Sequence, residues 1–164
     1  MDSQIIQAFK ELKPILDNYS EEIVLIDNKR RIKAINKAFC ANYNCTEEEA
    51  IGNYCYKIIH NSENSCTFPG NICPLEEVLK KGLSNETFHT HYKNMTPFHI
   101  EQFTFPIKTK NGIIRIKGKM GRKISGNPDK DNELNQKWDL AKKQILNVKA
   151  LVERIEKQSL QKKF

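Results

Sequence analysis

Three cysteines and one histidine that lie close together are the residues of this chain best suited to chemistry. They are Cys55, His60, Cys66 and Cys73, in the pattern C-x4-H-x5-C-x6-C-P-L. Thiolates and imidazoles are ligands that Zn²⁺ and iron–sulfur clusters bind, and four of them complete a tetrahedral site. The loop that joins them has few apolar residues, so a bound metal would explain how it becomes ordered. The pattern predicts a metal site, with Cys45 as an alternative to His60.

Three interpretations of this set stay open on sequence alone. The first is a structural zinc, the second is an iron–sulfur or other redox-active centre, and the third is no metal. In the third, Cys55 faces the core and the others are ordinary thiols. The spacing is not the paired C-x2-C of a zinc ribbon, so it does not choose among the three. Cys40 follows Phe39 on a predicted helix and is expected to be buried, as free cysteines often are.

A disulfide framework is not expected for the five cysteines. The start of the chain lacks a basic leader followed by an apolar stretch, so we do not expect a secretory signal. No apolar run approaches the roughly 20 residues that span a bilayer, so we expect no membrane association. We therefore expect a cytoplasmic protein, in which thiols stay reduced.

No pattern typical of an enzyme is present. The chain has no G-x-x-x-x-G-K, no G-x-S-x-G and no H-E-x-x-H. A cysteine with a histidine can make a thiol catalyst, but that needs a cleft and an activated thiolate, of which the sequence gives no sign. His89, His91 and His99 alternate along two predicted strands and are expected on the solvated face of a sheet. We therefore do not expect an enzyme.

The elements that must position these residues begin with a helix and a hairpin. Four apolar residues share one helical stripe: Ile5, Phe9, Leu12 and Leu16. This stripe predicts a helix over residues 1–14 that ends or kinks just before Pro14. Short apolar runs at residues 22–27 and 31–36, joined by a polar turn, predict a β-hairpin.

Short helices and further strands follow the hairpin. Thr46 and Glu49 have the spacing of a capping box, which predicts a helix that ends at Gly52. Further helices are predicted over residues 53–60 and 74–82. The closing strands are expected over residues 87–92, 98–107 and 113–120. Two strands, several short helices and three strands indicate an antiparallel α+β fold.

In this order the elements resemble a PAS domain. The stretch from Ile15 to Phe39 is similar to the opening of that family: a lead-in helix, a strand, a turn ending in a basic residue, a second strand and Asn-x-Ala-Phe. The Thr-Glu-Glu-Glu-Ala-Ile-Gly run at residues 46–52 and the Lys-Asn-Gly turn at residues 110–112 fit as well. The predicted PAS-like domain covers residues 15–124, and the Cys/His run before Pro-Leu resembles a Cys/His-bearing subset of the family.

The resemblance implies a five-stranded antiparallel sheet flanked by short helices that enclose a pocket. Modules of this family usually sense a ligand, a cofactor or a redox state and pass the change to a C-terminal helix that often dimerises. The resemblance therefore implies a sensory or signal-transfer module. A small-molecule ligand and a signalling protein are its candidate partners.

The resemblance also ranks the cofactors. Flavin-binding light sensors of this superfamily carry Gly-x-Asn-Cys-Arg-Phe-Leu-Gln, and the matching run here is Gly-Asn-Tyr-Cys-Tyr-Lys-Ile-Ile at residues 52–59. Cys55 coincides, but the flanking Asn, Arg and Gln do not, so a flavin photoadduct is not expected. Haem-binding relatives use a histidine on the helix before the third strand. The predicted helix at residues 74–82 has none, so haem is not expected either.

The last element is predicted to be a long helix over residues 132–164, after a linker at residues 125–131 that is rich in turn-forming residues. Its apolar residues repeat at alternating spacings of four and three: Leu134, Trp138, Ala141, Ile145, Val148, Val152 and Ile155. This repeat is a coiled-coil seam with apolar a and d positions, and it predicts a homodimer. The alternative is a helix that folds back on its own domain.

Charge is unevenly distributed along the chain. Residues 1–106 carry 11 basic and 14 acidic residues and residues 107–164 carry 16 and 6, for a net charge of +7. No arginine cluster or interleaved aromatic series supports nucleic-acid binding by the basic tail, so these charges are interpreted as a solvated helix face. A sensory module is the leading hypothesis. A metal-stapled dimerisation adaptor without a small ligand is the alternative, and a nucleic-acid-binding regulator comes last.

Overall fold

The computed structural model describes residues 3–66, 73–93, 96–107, 112–118 and 128–161. Its elements are α1 (Ser3–Leu16), β1 (Glu22–Asp27), β2 (Ile32–Ile35), α2 (Lys37–Tyr43), α3 (Glu47–Ala50), α4 (Cys55–His60), α5 (Pro74–Lys81), β3 (Asn85–Lys93), β4 (Thr96–Pro106), β5 (Gly112–Gly118) and α6 (Pro128–Gln161). The predicted α+β arrangement is confirmed.

The strands pair antiparallel in the order β2-β1-β5-β4-β3. β1 therefore lies between β2 and β5, and its Leu25 pairs with Ala34 on one side and Ile114 on the other. Every residue of β1 is buried, including the two carboxylates Glu22 and Asp27. A strand that is covered on both faces in this way needs a helical layer on each side of the sheet.

One face of β1 is covered by the short helices. Val24 and Ile26 pack with Phe39 of α2 and Leu75 of α5 in one buried cluster. Because successive side chains of a strand point to opposite faces, Ile23 and Leu25 face the other way. We call the face that carries Val24 and Ile26 the inner face of the sheet.

α1 continues to Leu16, so an end of the helix before Pro14, one of the two predicted outcomes, is wrong. Proline removes one helical hydrogen bond and crowds the preceding turn, which is most costly in a helix interior. Here it falls in the last turn, and the two residues beyond it bring Leu16 to a fully buried position. Leu16 thereby completes the apolar stripe with Phe9 and Leu12, which are also buried.

α6 begins at Pro128, ahead of the predicted start at Asn132. Proline is favoured at the first position of a helix, because its missing N–H has no partner there in any case and its φ is already helical. The residues from Pro128 onward that were predicted as linker are therefore helical. α6 lies against α1, which also contacts β2.

The ends of the short helices follow the predicted capping chemistry. The Thr46 hydroxyl accepts from the Glu49 N–H at 3.2 Å and the Thr46 N–H donates to the Glu49 carboxylate at 2.8 Å, so the capping box is confirmed. Gly82 ends α5 in the left-handed conformation, with φ 65°. α3 ends at Ala50, and Gly52 follows it with φ 85°, so the predicted end of this helix at a glycine is confirmed.

Candidate functional site: a core lined with thiols

All five cysteines of the chain lie in or against one buried cluster between the inner face and helices α2–α5. Cys55 and Cys73 belong to it, with 1% and 2% of their surface exposed, and Cys40, Cys45 and Cys66 are half-buried against it. Its members are Val24, Ile26, Ile32, Ile35, Phe39, Ala50, Cys55, Ile59, Cys73, Leu75 and Val78. We call this cluster the thiol-lined core. All five cysteines are in the thiol form.

Cys55 is positioned by a segment that runs beside the edge strand β2. The Gly52 N–H donates to the Ile32 carbonyl at 2.8 Å, and the Ile32 N–H donates to the Asn53 carbonyl at 2.9 Å. The Cys55 N–H then donates to the Arg30 carbonyl at 2.8 Å. These bonds fix the first residue of α4 beneath the β1–β2 turn, so the Cys55 thiol points into the core.

Cys73 is positioned by the start of α5. Its carbonyl accepts from the Glu77 N–H at 3.2 Å, and Pro74 follows as the first helical residue. The Arg30 guanidinium donates to the Glu76 carboxylate, which ties α5 to the β1–β2 turn. Through its carbonyl and its side chain, Arg30 thus links α4, which begins at Cys55, and α5, which Cys73 caps.

The described residues give no support for the predicted metal set. Cys55, His60, Cys66 and Cys73 all lie among the described residues, and within these no three cysteine, histidine or acidic residues form a group that would hold a metal ion. The neighbours of Cys55 and Cys73 are mainly aliphatic, and His60 is a half-buried residue at the end of α4. The metal site therefore stays a prediction.

Polar side chains from β3 and β4 line the inner face beside the thiol-lined core. Thr104 stands in register with Arg115, which pairs in turn with Val24, so Thr104 and Val24 share a face. Gln102 and Thr104 are fully buried, and Gln102 pairs with Thr87 across β3 and β4. In the part of the chain that the structure describes, the buried hydroxyls of Thr87 and Thr104 have no hydrogen-bond partner.

Sequence reasoning missed these polar residues. Gln102 and Thr104 alternate with Phe103 and Phe105, a pattern that ordinarily indicates one buried and one solvated face. In this sheet both faces of β4 are covered, so the polar residues are buried as well. The available signal was the layer of short helices that the resemblance implies over one face of the sheet.

A cavity separates the opposite face of the sheet from α6. It has a volume of about 460 Å³ and is lined by Glu86, Phe103, Asp139, Lys143 and Leu146. α6 therefore lies beside its own domain, the arrangement that the sequence offered as the alternative to a homodimer. The side chains of the predicted seam lie outside those that the structure describes, so the coiled coil stays a prediction.

The strands that carry the three predicted surface histidines are present, in β3 and β4. The side chains of His89, His91 and His99 are also outside those that the structure describes, so their solvated placement stays a prediction. Among the described helices, none combines the length and the apolar character needed to cross a membrane.

The fold of this chain recurs among solved structures. A LOV protein from Rhodobacter sphaeroides matches with a TM-score of 0.54 and 17% identity over 71% of this chain and 69% of that one. The PAS domain of BvgS from Bordetella pertussis matches with a TM-score of 0.51 and 14% identity over 82% and 97% of the two chains. The PAS domain of the nitrogen regulation protein NR(II) from Vibrio parahaemolyticus gives 0.52 and 16% over 66% and 96%.

The chain has the PAS fold. The sequence resemblance is thus confirmed at the level of the fold, since identities this low carry no more than that. No family model and no curated protein matches the chain. In the PAS fold of this chain, the thiol-lined core and the inner-face hydroxyls of Thr87 and Thr104 lie together between the sheet and the short helices.

Proposed function

We propose that this protein is a sensory or signal-transfer module. It takes a small polar molecule between the inner face of the sheet and helices α2–α5 and relays the change through α6. The PAS fold supports this proposal, since the solved structures that share the fold include a LOV protein and a nitrogen regulation protein. No reaction is part of the proposal.

The observation that carries the proposal is the pair of buried hydroxyls on the inner face. A buried polar group without a partner costs about 1–3 kcal/mol, and folded proteins contain few of them. Thr87 and Thr104 lie on neighbouring strands, beside the fully buried amide of Gln102. A bound molecule that donates to or accepts from both hydroxyls would remove this cost, and an entirely apolar one would not.

The relay is supported by the position of β4. Thr104 is on the inner face, and the adjacent Phe103 is on the opposite face, where it lines the cavity beside α6. A molecule that shifts β4 at Thr104 therefore also changes the wall of that cavity. Such a relay requires two arrangements of α6 that differ in their affinity for the molecule.

The test is native mass spectrometry on the full chain, with a double variant Thr87→Val, Thr104→Val. Valine keeps the shape of threonine without its hydroxyl, so we expect the wild type to carry an added small-molecule mass that the double variant lacks. Ser84→Ala removes an exposed hydroxyl near β3 and is the matched control, which should keep the added mass. If all three proteins show only the bare chain and the double variant melts at a higher temperature, side chains fill the core and the adaptor hypothesis replaces the sensor.

The same spectra test the predicted metal site. The variant Cys66→Ser, Cys73→Ser removes two of the four predicted ligands. About one zinc ion or one iron–sulfur cluster per chain in the wild type, absent from this variant, would support the Cys/His site. A chain without metal would place Cys55 and Cys73 among ordinary core thiols, as their aliphatic surroundings favour.

A further inference from the structure

A second pair of thiols, Cys40 and Cys45, lies at the end of α2, and of these the sequence offered Cys45 as an alternative to His60 in the metal site. The helix ends at Tyr43, and Asn44 takes the left-handed conformation with φ 49° and ψ 48°. The N–H groups of Asn44 and Cys45 both donate to the Cys40 carbonyl, the second at 3.2 Å. The bond from the Cys45 N–H to the Cys40 carbonyl is the six-to-one hydrogen bond of a Schellman motif at a helix C-terminus. In this motif the first and last of the six residues, here Cys40 and Cys45, commonly have side chains in contact.

The surroundings of the two thiols agree with this backbone geometry. Both are half-buried against the thiol-lined core, so both thiols stay accessible to small reagents. Burial raises the pKa of both thiols, and the nearby Cys40 is the next cause of the raised pKa of Cys45. Two cysteines that meet in this way are candidates for a disulfide, which needs Cα atoms about 4.4–6.8 Å apart.

We propose that Cys40 and Cys45 form a dithiol site that closes to an intramolecular disulfide on reaction with a low-molecular-weight disulfide such as oxidised glutathione. The thiolate of one cysteine attacks a glutathione sulfur, forms a mixed disulfide and releases one glutathione thiolate. The second cysteine, as thiolate, attacks the protein sulfur of that mixed disulfide and releases the other glutathione. The protein loses two protons and two electrons, and one disulfide becomes two thiols.

The charges around the two thiols partly cancel. The ammonium group of Lys13 favours the Cys40 thiolate, while the carboxylates of Glu47 and Asp17, both paired with Lys13, act against it. The Glu49 carboxylate adds to the raised pKa of Cys45. These charges do not give one thiolate the first attack, so either cysteine can begin the reaction and the other closes the ring.

Closing this ring would act on strand β1, which lies next to the edge strand β2. Two residues between the thiols bind the buried carboxylate of Glu22 on β1: Asn42 donates to it at 2.8 Å and the Tyr43 hydroxyl at 2.9 Å. A disulfide across the turn would fix these two donors against β1. The oxidised and reduced proteins would therefore differ in how firmly α2 is held to the sheet.

The experiment treats the reduced full chain with oxidised glutathione and follows the product by intact mass and peptide fragmentation. We expect a Cys40–Cys45 link, no retained glutathione, and two glutathione thiols released per chain. Cys45→Ser should stop at the mixed disulfide on Cys40, with one thiol released. Cys66→Ser is the matched control, because Cys66 is also half-buried against the core, and it should close the disulfide as the wild type does.

Three results would overturn the proposal. The first is glutathione that stays bound to both Cys40 and Cys45 of the wild type. The second is a disulfide between either of these cysteines and Cys55. The third is that neither cysteine reacts in the folded chain although both react in the urea-unfolded chain. If a serine variant does not fold, the peptide map of the wild type is sufficient to show whether Cys40 and Cys45 are linked. None of these results depends on whether a small molecule binds at Thr87 and Thr104, so the dithiol site and the proposed function fail separately.

Discussion

At the scale of single residues, Asn36 shows how one buried side chain joins several elements. It is fully buried, and its Oδ1 accepts from the N–H groups of Ile23 at 2.9 Å and Phe39 at 3.2 Å. Its Nδ2 donates to the carbonyls of Leu16 at 3.0 Å and Glu21 at 2.9 Å. All four bonding positions of the amide are used, so Asn36 holds the end of α1 and the start of β1 and of α2 together.

We expect Asn36→Ala to lower the free energy of unfolding by about 2–4 kcal/mol, because it removes a helix cap and leaves buried N–H and carbonyl groups without partners. Urea denaturation of the two proteins measures the difference. Asn18→Ala is the matched control, since Asn18 donates to the Pro14 carbonyl from an exposed position and its loss should cost less than about 0.5 kcal/mol. Equal losses in the two variants would show that the network around Asn36 is not what holds these elements.

The local role of Asn36 could be predicted from the sequence, and its long-range contacts could not. The Asn-x-Ala-Phe run indicated a helix that starts after Asn36, and the structure has that helix. The bonds to Leu16 and Glu21 were not predictable, because they depend on how α1 meets the sheet. The metal prediction has no support among the described residues for a similar reason: ligand spacing specifies which residues are candidates, and the packing of α4 and α5 decides whether they meet.

At the scale of elements, Arg31 fastens the segment that leads into α4. Its guanidinium donates to the Gly52 carbonyl at 2.6 Å and to the Tyr54 hydroxyl at 3.2 Å. The same guanidinium lies over the Tyr54 ring, 4.3 Å from its centre, and the ring stacks on Tyr56. A planar guanidinium makes these contacts at once, and a lysine ammonium does not.

We therefore expect Arg31→Lys to loosen this segment while the fold persists. The Cys55 N–H, bonded to the Arg30 carbonyl, should exchange with solvent about fivefold to tenfold faster, which corresponds to about 1–1.4 kcal/mol. Hydrogen exchange measures this change, and the Asn44 N–H at the end of α2 is the internal control. Unchanged exchange at Cys55 would mean that the backbone bonds to β2 suffice to hold the segment.

The boundaries of elements were predictable only where local chemistry decides them. Thr46 with Glu49 and the glycine at residue 82 act within one helical turn, and both ends were predicted correctly. Pro14 was misjudged because the burial of Leu16, a tertiary effect, outweighs the local cost of the proline. The burial of Gln102 and Thr104 likewise depends on cover from distant helices, which alternation along one strand does not reveal.

At the scale of the whole molecule, α6 is too long for its neighbour α1 to cover. At 1.5 Å per residue, the 34 residues of α6 extend about 51 Å and the 14 residues of α1 about 21 Å. The predicted seam from Leu134 to Ile155 extends about 32 Å on the same basis. α6 can therefore contact α1 over part of its length and pair with a second chain through the rest of the seam. We propose that it does both.

This arrangement predicts a homodimer that depends on the far part of the seam. Val148→Glu with Val152→Glu places two carboxylates in the proposed contact, so the mass in solution should fall to that of one chain, 19.1 kDa. Asn147→Glu with Ala150→Glu adds the same charge at exposed positions of α6 and should leave the dimer intact. Light scattering after size exclusion separates the two outcomes. If the seam variant keeps the mass of the wild type, α6 has α1 as its neighbour and no second chain, and a signal in the core would have to leave the molecule by another surface.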